Sequence, residues 1–83
     1  MRFLLTRHAR DVMEERVIPL NWVRRIVDAP ERIEPDAEDP ALEHRLGRIA
    51  EHGHRVLRIV LNRKARPARI VTVYFDRAMR GKL

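Results

Sequence analysis

Cysteine is absent from the chain, so neither disulfide bonds nor thiolate metal sites can stabilise it. A domain of 83 residues buries only about 60% of the surface of its unfolded chain, so its stability must come from packing or from a partner. Long apolar runs are also absent: the opening "MRFLLTRHAR" has one short apolar run, and no later stretch approaches the roughly 20 residues that span a bilayer. We expect one domain over residues 1–83, a cytoplasmic location and no membrane partner.

Aromatic residues are few, and Trp22 lies on an apolar helical stripe, as does Met13, so both are expected in the core. This scarcity disfavours an aromatic platform for stacking nucleic-acid bases. The spacing of His44, His52 and His54 invites a metal site, but Gly53 suggests a turn and no acidic third ligand is well placed. We predict no metal site and no cofactor.

Charge is unevenly distributed along the chain. Residues 1–27 carry 6 basic and 3 acidic side chains (+3), residues 28–43 carry 1 and 7 (−6), and residues 44–83 carry 11 and 2 (+9). Such a field favours polyanions, although it cannot distinguish RNA from DNA or an acidic protein, and a solvated basic surface is the plain alternative. The side chains predicted to bind RNA are Arg48, Arg55, Arg63, Lys64, Arg66 and Arg69.

Two helices are predicted near the start of the chain. Apolar residues recur at helical spacing over 7–17, with Thr6 as a possible N-cap, and again over about 20–28, between Pro19 and Pro30. Each helix has one apolar stripe, so both should pack on one face of a sheet. Residues 31–42 are predicted to form a short strand around Ile33 and an exposed acidic turn, and residues 78–83 a frayed tail.

The remaining segments predict strands at 43–51, 54–63 and 68–77, with a further short strand at 3–5. Their short loops favour an antiparallel meander. The expected fold class is α+β, with the two helices on one face of a curved, mostly antiparallel sheet of about four strands.

Alternation along the strands divides the side chains between the two faces of the sheet. The helix face is predicted to receive Leu57, Ile59, Leu61, Val71, Val73 and Phe75. The opposite face is predicted to receive His54, Val56, Arg58, Val60, Ile70, Thr72, Tyr74 and Asp76. His44 and Arg48 join this second face in one register of strand 43–51, whereas a one-residue slip brings Arg45 and Ile49 instead.

Short motifs give the chain a family resemblance. They are "TRHA" at the start of the first helix, "ER" seven and eight residues after His8, the helix pair ending at Pro30, and "VTVY" in the last strand. Over residues 2–77 the chain resembles the small domains classed as domain of unknown function 4258, which are similar in layout to the RelE and BrnT ribonuclease toxins of type II toxin–antitoxin pairs. The resemblance implies a ribonuclease scaffold and a cognate antitoxin as partner.

Metal-independent RNA cleavage needs a base, an acid and cations that hold the charge of the phosphorane. The candidate catalytic set is His44 or His54 with Arg58 and Tyr74. The structural alternative makes Arg58 a cross-strand partner of Asp76, and Tyr74 a core ring with its hydroxyl at the surface.

His8 and Arg16 fall on positions that match the family motif, but both are interpreted as mainly architectural. His8 lies in the first turn of its helix, where the macrodipole opposes a protonated ring, so it should tie the helix start to the sheet through a hydrogen bond. Arg16 is interpreted as a residue that caps carbonyls or pairs with Asp11 or the acidic hairpin.

The leading hypothesis is a toxin-like ribonuclease that acts on the basic open face of the sheet and is covered by an antitoxin. The alternative is a non-enzymatic RNA- or protein-binding module on the same scaffold, and a homodimer through sheet edges also stays open. Under each of these, the acidic segment 31–43 either shields the basic face or mimics a nucleic acid.

Overall fold

A computed structural model describes all residues from 1 to 83. The strands are β1 (Phe3–Leu5), β2 (Arg32–Pro35), β3 (Leu42–Ile49), β4 (Arg55–Asn62) and β5 (Ala68–Phe75). The helices are α1 (Arg7–Glu15) and α2 (Leu20–Asp28), and two short 3-10 turns span Ala50–His52 and Arg77–Met79. The fold is α+β, and no helix is long and apolar enough to cross a membrane.

The sheet has five strands in the order β1-β5-β4-β3-β2, rather than the predicted four or so. Strands β2 to β5 form the antiparallel meander that their short loops favour. The fifth strand is β1, which pairs in parallel with β5, so the sheet is mixed. Its partner is the last strand of the chain, so both helices and strands β2 to β4 lie between the two in sequence.

Both helices begin where local chemistry predicts, and α2 also ends there, whereas α1 ends early. The Thr6 hydroxyl accepts a hydrogen bond from the backbone N–H of Ala9 at 3.1 Å, which satisfies a free donor of the first turn of α1. The helix ends at Glu15, two residues before the predicted end, because Val17 has a positive φ of 53°. Pro19 stands directly before α2, which ends before Pro30.

The core joins one stripe of each helix to one face of the sheet. Both helices contribute to a single cluster of 13 buried residues, in which the sheet residues are Ile49, Leu57, Ile59, Leu61, Ala68, Ile70 and Val73. Gly47 lies beneath α2, where a Cβ would come within 2.5 Å of the Ile26 Cδ1. Glycine at this position therefore allows α2 to approach the sheet closely.

A β-bulge in β5 corrects the predicted division of side chains between faces. Thr72 pairs with Val60, but the next pair is Ile70 with Leu61, so Val71 is the extra residue. Ile70 therefore lies in the core cluster, fully buried, and not on the second face as alternation predicted, while Val71 stays outside that cluster. A uniform period of two cannot anticipate an inserted residue.

The ends of three predicted strands also need correction. Strand β5 stops at Phe75 instead of residue 77, because residues 77–79 turn into a 3-10 helix. Strand β3 stops at Ile49, because residues 50–52 turn into a 3-10 helix. Strand β4 begins at Arg55, and His54 belongs to the preceding turn, where it has a positive φ of 56°. His54 therefore does not lie on the strand face where it was predicted.

The second face of the sheet has no α-helix over it, yet it is not bare. Leu46, Val56 and Val60 lie on this face outside the main core cluster, and each is at most 6% exposed. Arg58 is their register neighbour, directly opposite Leu46 and two residues from both valines. The long polar side chains of this face therefore belong to its packing as well as to its charge.

Candidate functional site

The meander brings three of the four predicted catalytic residues onto the second face of the sheet. Arg58 on β4 lies opposite Tyr74 on β5 and Leu46 on β3, and His44 lies opposite Val60. The register of β3 is thus the one that places His44, and not Arg45, beside Arg58. His54 is exposed in the turn before β4 and stands apart from this group.

Arg58 is the centre of an ion-pair network. Its Nε and Nη2 both lie 2.9 Å from the Asp76 Oδ2, and its Nη1 donates to the Glu34 Oε1 at 3.0 Å. The side chain is only 11% exposed. Burial opposes the charged guanidinium, but the hydrogen bonds to Glu34 and Asp76 outweigh it and raise the pKa of Arg58. Arg58 is therefore held as a permanently charged, fully partnered group.

The hydrogen bonds of His44 fix its tautomer. Arg58 Nη1 donates to the His44 Nδ1 at 2.9 Å, so Nδ1 carries a lone pair and no proton. The ring then donates its Nε2–H to the Asp36 Oδ1, 2.7 Å away. Both ring nitrogens are thus occupied within the protein, and neither is free to take a proton from a bound substrate in this arrangement.

The acidic segment supplies most of the carboxylates on this face. Asp36 accepts from His44 and from the backbone N–H groups of Asp39 and Glu38, which lowers the pKa of its carboxyl to about 2. Nearby, Glu31 holds Arg48 through its Nε at 2.9 Å. Glu31, Glu34 and Asp36 therefore lie against basic residues of the sheet, whereas residues 37–40 form an exposed turn.

Three of the four arginines of the second face are paired with carboxylates. They are Arg48, Arg58 and Arg32, whose Nη1 is 3.5 Å from the Glu34 Oε2. The fourth, Arg69, lies opposite Asn62 and forms no ion pair. Among the predicted catalytic residues on the face, Tyr74 is the most open to solvent, with 38% exposure. This face is therefore close to electrically neutral, although it belongs to the basic half of the chain.

His8 and Thr72 join the start of α1 to β5. The His8 Nε2 lies 3.2 Å from the Thr72 Oγ1, and the Thr6 hydroxyl donates to the Val71 carbonyl at 3.0 Å. These two contacts fix the first turn of α1 on the edge of β5 beyond the end of β1. The contacts of His8 are of the architectural kind that the sequence indicated.

The residues predicted to bind RNA are divided between the two ends of β4. Arg55 lies at its start, while Arg63, Lys64 and Arg66 follow its end in the turn before β5. Arg69 lies on β5, opposite Asn62 at the same end of β4. The seven residue steps of β4 separate these ends by roughly 23 Å. Arg48 is paired with Glu31, so the predicted set does not form one surface.

A group of four arginines that form no ion pairs lies at the start of β4. It surrounds a cavity of about 430 Å³, which we call the guanidinium pocket, lined by Arg16, Arg55, Arg77 and Arg80 together with His52 and Phe75. Arg16 follows α1, and Arg77 and Arg80 belong to the turn after β5. Three distant segments of the chain therefore converge on one cavity.

None of the four pocket arginines forms an ion pair with a carboxylate. The one carboxylate in the lining is Asp76, and both of its oxygens are engaged. Its Oδ2 holds Arg58, and its Oδ1 accepts from the Ala78 N–H at 3.0 Å, which caps the 3-10 turn that carries Arg77. Asp76 thus positions the pocket arginines without neutralising them.

The wall of the pocket is aromatic. His52 and Phe75 have ring centroids 4.8 Å apart, and Trp22 packs behind them at 5.5 Å from His52 and 6.3 Å from Phe75. Arg55 Nη1 lies 3.4 Å from the His52 Nε2, so this contact has the arginine as its donor. The chain has too few aromatic residues for an extended platform, but it gathers three rings here.

Backbone strain also borders the guanidinium pocket. The two non-glycine residues with positive φ are Val17, which follows Arg16, and His54, which precedes Arg55. A β-branched residue strongly resists this conformation, and Val17 is 81% exposed, so no burial of its side chain offsets the cost. Strained positions of this kind often lie at functional sites, where they orient neighbouring groups.

Sequence reasoning identified Arg55 and noted Arg16, but it missed Arg77 and Arg80. Arg77 falls at the end of the predicted strand 68–77, and Arg80 falls in the predicted frayed tail 78–83. The available signal was Asp76 two residues before Ala78, because an aspartate at this spacing caps a turn. It would have predicted an ordered turn directly after β5.

The comparisons with known proteins agree with the motifs. No curated protein and no solved structure is similar enough to this chain to count as a match. A family model does match residues 5–75, which cover the sheet from the end of β1 to the end of β5 and both helices. The chain therefore belongs to the family described as domain of unknown function (DUF4258).

Proposed function

We propose that this protein binds single-stranded RNA through the guanidinium pocket. The observation that carries the proposal is the convergence of four guanidinium groups, none paired with a carboxylate, on one cavity. Guanidinium groups donate in a planar fork that matches phosphate oxygens, and they remain charged at any physiological pH. The +9 balance of residues 44–83 adds a field that attracts polyanions to this part of the molecule.

The distribution of acidic residues favours the guanidinium pocket, and not the second face of the sheet, as the RNA-binding site. Glu31, Glu34 and Asp36 occupy the basic groups of the second face, so those groups have little capacity left for phosphate. The pocket arginines come from outside the reach of this acidic segment. The same segment thus serves as an internal shield on the sheet face and leaves the pocket arginines available to a ligand.

A compact anion suits the pocket better than an acidic protein surface. Its volume of about 430 Å³ lies within the range of roughly 300–1,000 Å³ that small-molecule sites occupy. A phosphate group brings several charged oxygens into such a space at once, whereas carboxylates on a protein surface arrive singly on flexible side chains.

A second candidate function, metal-independent RNA cleavage, rests on Tyr74. Its side chain is 38% exposed, and it lies opposite Arg58 in the register. In such a reaction the phenol would give or take a proton and Arg58 would hold the charge of the phosphorane. His44 would have to leave either Arg58 or Asp36 to act as a base, because both of its nitrogens are engaged. An antitoxin would then act by covering this face.

Equilibrium binding of a labelled single-stranded RNA tests the first proposal. The variant Arg77→Ala/Arg80→Ala removes two pocket charges, and the matched control Arg63→Ala/Lys64→Ala removes two charges at the other end of β4. Each lowers the formal net charge from +6 by two. Charge-assisted hydrogen bonds contribute about 1.5–3 kcal/mol each, so the pocket pair should lower affinity at least tenfold and the control pair less than about threefold.

Two results would contradict RNA binding at the pocket: no binding by the parent protein at low salt, or an equal loss in both variants. Cleavage is examined in the same samples with EDTA present. Fragments with 2′,3′-cyclic phosphate ends in the parent, absent in Tyr74→Phe, would support the ribonuclease. Intact RNA, or cleavage that persists in Tyr74→Phe, would exclude the role assigned to Tyr74.

A further inference from the structure

We infer that the guanidinium pocket takes a phosphorylated end of an unpaired nucleotide, with the phosphomonoester on the arginines and the base against the wall of His52 and Phe75. This inference rests on the proposed RNA binding, because it names the part of the RNA that enters the cavity. It concerns the same residues, and it adds two selectivities: one for the charge of the phosphate and one for the presence of a base.

The charge of the pocket favours a monoester over a diester. Arg16, Arg55, Arg77 and Arg80 line the same cavity, and none of them is neutralised by a carboxylate. A terminal phosphomonoester carries about −1.5 to −2 at neutral pH, whereas a bridging diester carries one negative charge. A monoester also offers three terminal oxygens to forked donors. The gathered guanidinium groups therefore match an end group better than an internal link.

The aromatic wall favours a nucleotide over a bare phosphate. His52 and Phe75 border the same cavity as the arginines, with Trp22 packed behind them. A base on such a wall contributes about 1–3 kcal/mol by stacking, whatever its identity. A duplex hides the faces of its bases within the stack, so only an unpaired nucleotide can present one to this wall.

The chain segments around the pocket also favour an end of the RNA over an internal nucleotide. Its arginines come from the end of α1, the start of β4 and the turn after β5, so chain segments surround the cavity on several sides. An internal nucleotide would bring the RNA strand both into and out of this space. An end enters once, and its phosphate can reach the arginines without a continuing strand.

Competition against a labelled single-stranded RNA tests the inference on the unmodified protein. Unlabelled octamers of one sequence would carry a 5′-phosphate, a 3′-phosphate or hydroxyl groups at both ends. The octamer with the preferred phosphate should compete at least fivefold better than the hydroxyl form, and the two phosphorylated octamers identify which end is bound. The same octamer annealed into a blunt duplex should lose this advantage.

A second set of competitors separates the base from the phosphate. Adenosine 5′-monophosphate should compete at least about fivefold better than ribose 5-phosphate, in keeping with the contribution of one stacked base. Inorganic phosphate should be weaker still than either nucleotide. In His52→Ala the advantage of adenosine 5′-monophosphate over ribose 5-phosphate should shrink, and the comparison within this variant is unaffected by a general loss of stability.

The failure of this inference differs from the failure of RNA binding. Equal competition by all three octamers, with binding that still depends on Arg77 and Arg80, would overturn the end selectivity and leave the RNA site in place. Equal competition by adenosine 5′-monophosphate and ribose 5-phosphate would overturn the role of the aromatic wall. An absence of RNA binding in the parent would remove both.

Discussion

The second face of the sheet and the guanidinium pocket use the same residue type in opposite ways. Three arginines of the sheet face, Arg32, Arg48 and Arg58, form ion pairs with Glu31, Glu34 and Asp76, whereas the four pocket arginines have no acidic partner. A buried ion network is costly to break but offers little to a ligand, while unpaired exposed charges stabilise nothing and remain available. An arginine of this chain is therefore a candidate ligand-binding residue only if it has no acidic partner in the structure.

The structural role of the ion pairs on the second face is tested most directly by replacing Arg58. Replacing it with alanine leaves Glu34 and Asp76 without their cation and His44 Nδ1 without its donor. Because Arg58 is nearly buried, we expect the free energy of unfolding to fall by about 2–3 kcal/mol. Urea unfolding measures this loss, and Tyr74→Phe, which removes only a hydroxyl, should change stability by less than about 0.5 kcal/mol.

An unchanged stability in Arg58→Ala would show that the network is not structural and would return Arg58 to the candidate catalytic residues. This outcome bears on RNA cleavage assays as well. An inactive but destabilised Arg58→Ala protein says nothing about chemistry, so Tyr74→Phe is the more informative variant for the ribonuclease.

Relieving the backbone strain at Val17, beside the guanidinium pocket, should stabilise the protein, by less than Arg58→Ala destabilises it. Val17 has a positive φ and an exposed side chain, so Val17→Gly removes the steric cost and loses no buried apolar contact. We expect it to raise the free energy of unfolding by about 1 kcal/mol. Thermal unfolding measures the gain. A loss of stability would mean that the Val17 side chain makes a packing contribution that its exposure does not suggest.

The loss of stability in acid should come in part from Asp36, on the second face of the sheet. Hydrogen bonds from His44 and two backbone N–H groups hold the pKa of Asp36 at about 2, well below its value in an unfolded chain. The unfolded chain therefore takes up the proton first, so the stabilisation by charged Asp36 is complete above about pH 5 and is lost as the pH falls toward about 2. The side chain of Asp36 is partly exposed, so we expect the smallest of the three effects on stability.

Urea unfolding across that pH range, in the parent and in Asp36→Asn, measures this contribution. The variant should be less stable than the parent near neutral pH, and the difference should shrink as the pH falls. The Glu51 carboxyl, whose pKa Arg25 also lowers to about 2, remains in both proteins and supplies an acid transition of its own. A difference that stays constant down to the lowest pH would contradict the contribution of charged Asp36.

The sequence predicted the local features of the sheet well and the guanidinium pocket poorly. Alternation along β4 and β5 was enough to place Arg58, Tyr74 and Asp76 on one face, and the structural alternative for Arg58 named Asp76 as its partner. The inserted Val71 exchanged the face of Ile70, because a bulge is a pairing event between strands. The alternation of residues within one strand does not reveal such a bulge.

The pocket was missed for a different reason. Arg16, Arg55 and Arg80 are far apart in sequence and meet only because the end of α1, the start of β4 and the turn after β5 lie at the same place. Charge counting found the basic half of the chain, but it could not show which arginines the acidic segment would occupy. That division depends on side-chain partners across the sheet, such as Glu31 with Arg48.

The salt dependence of RNA binding tests the difference between paired and unpaired arginines most directly. For single strands, the slope of log affinity against log salt changes by about 0.7 for each phosphate-neutralising cation. Arg77→Ala/Arg80→Ala should therefore reduce the slope by about 1.4, whereas Arg48→Ala, which removes an arginine already paired with Glu31, should leave it unchanged. A reduced slope in Arg48→Ala with an unchanged slope in the pocket variant would contradict the account, because RNA would then be bound by the sheet face.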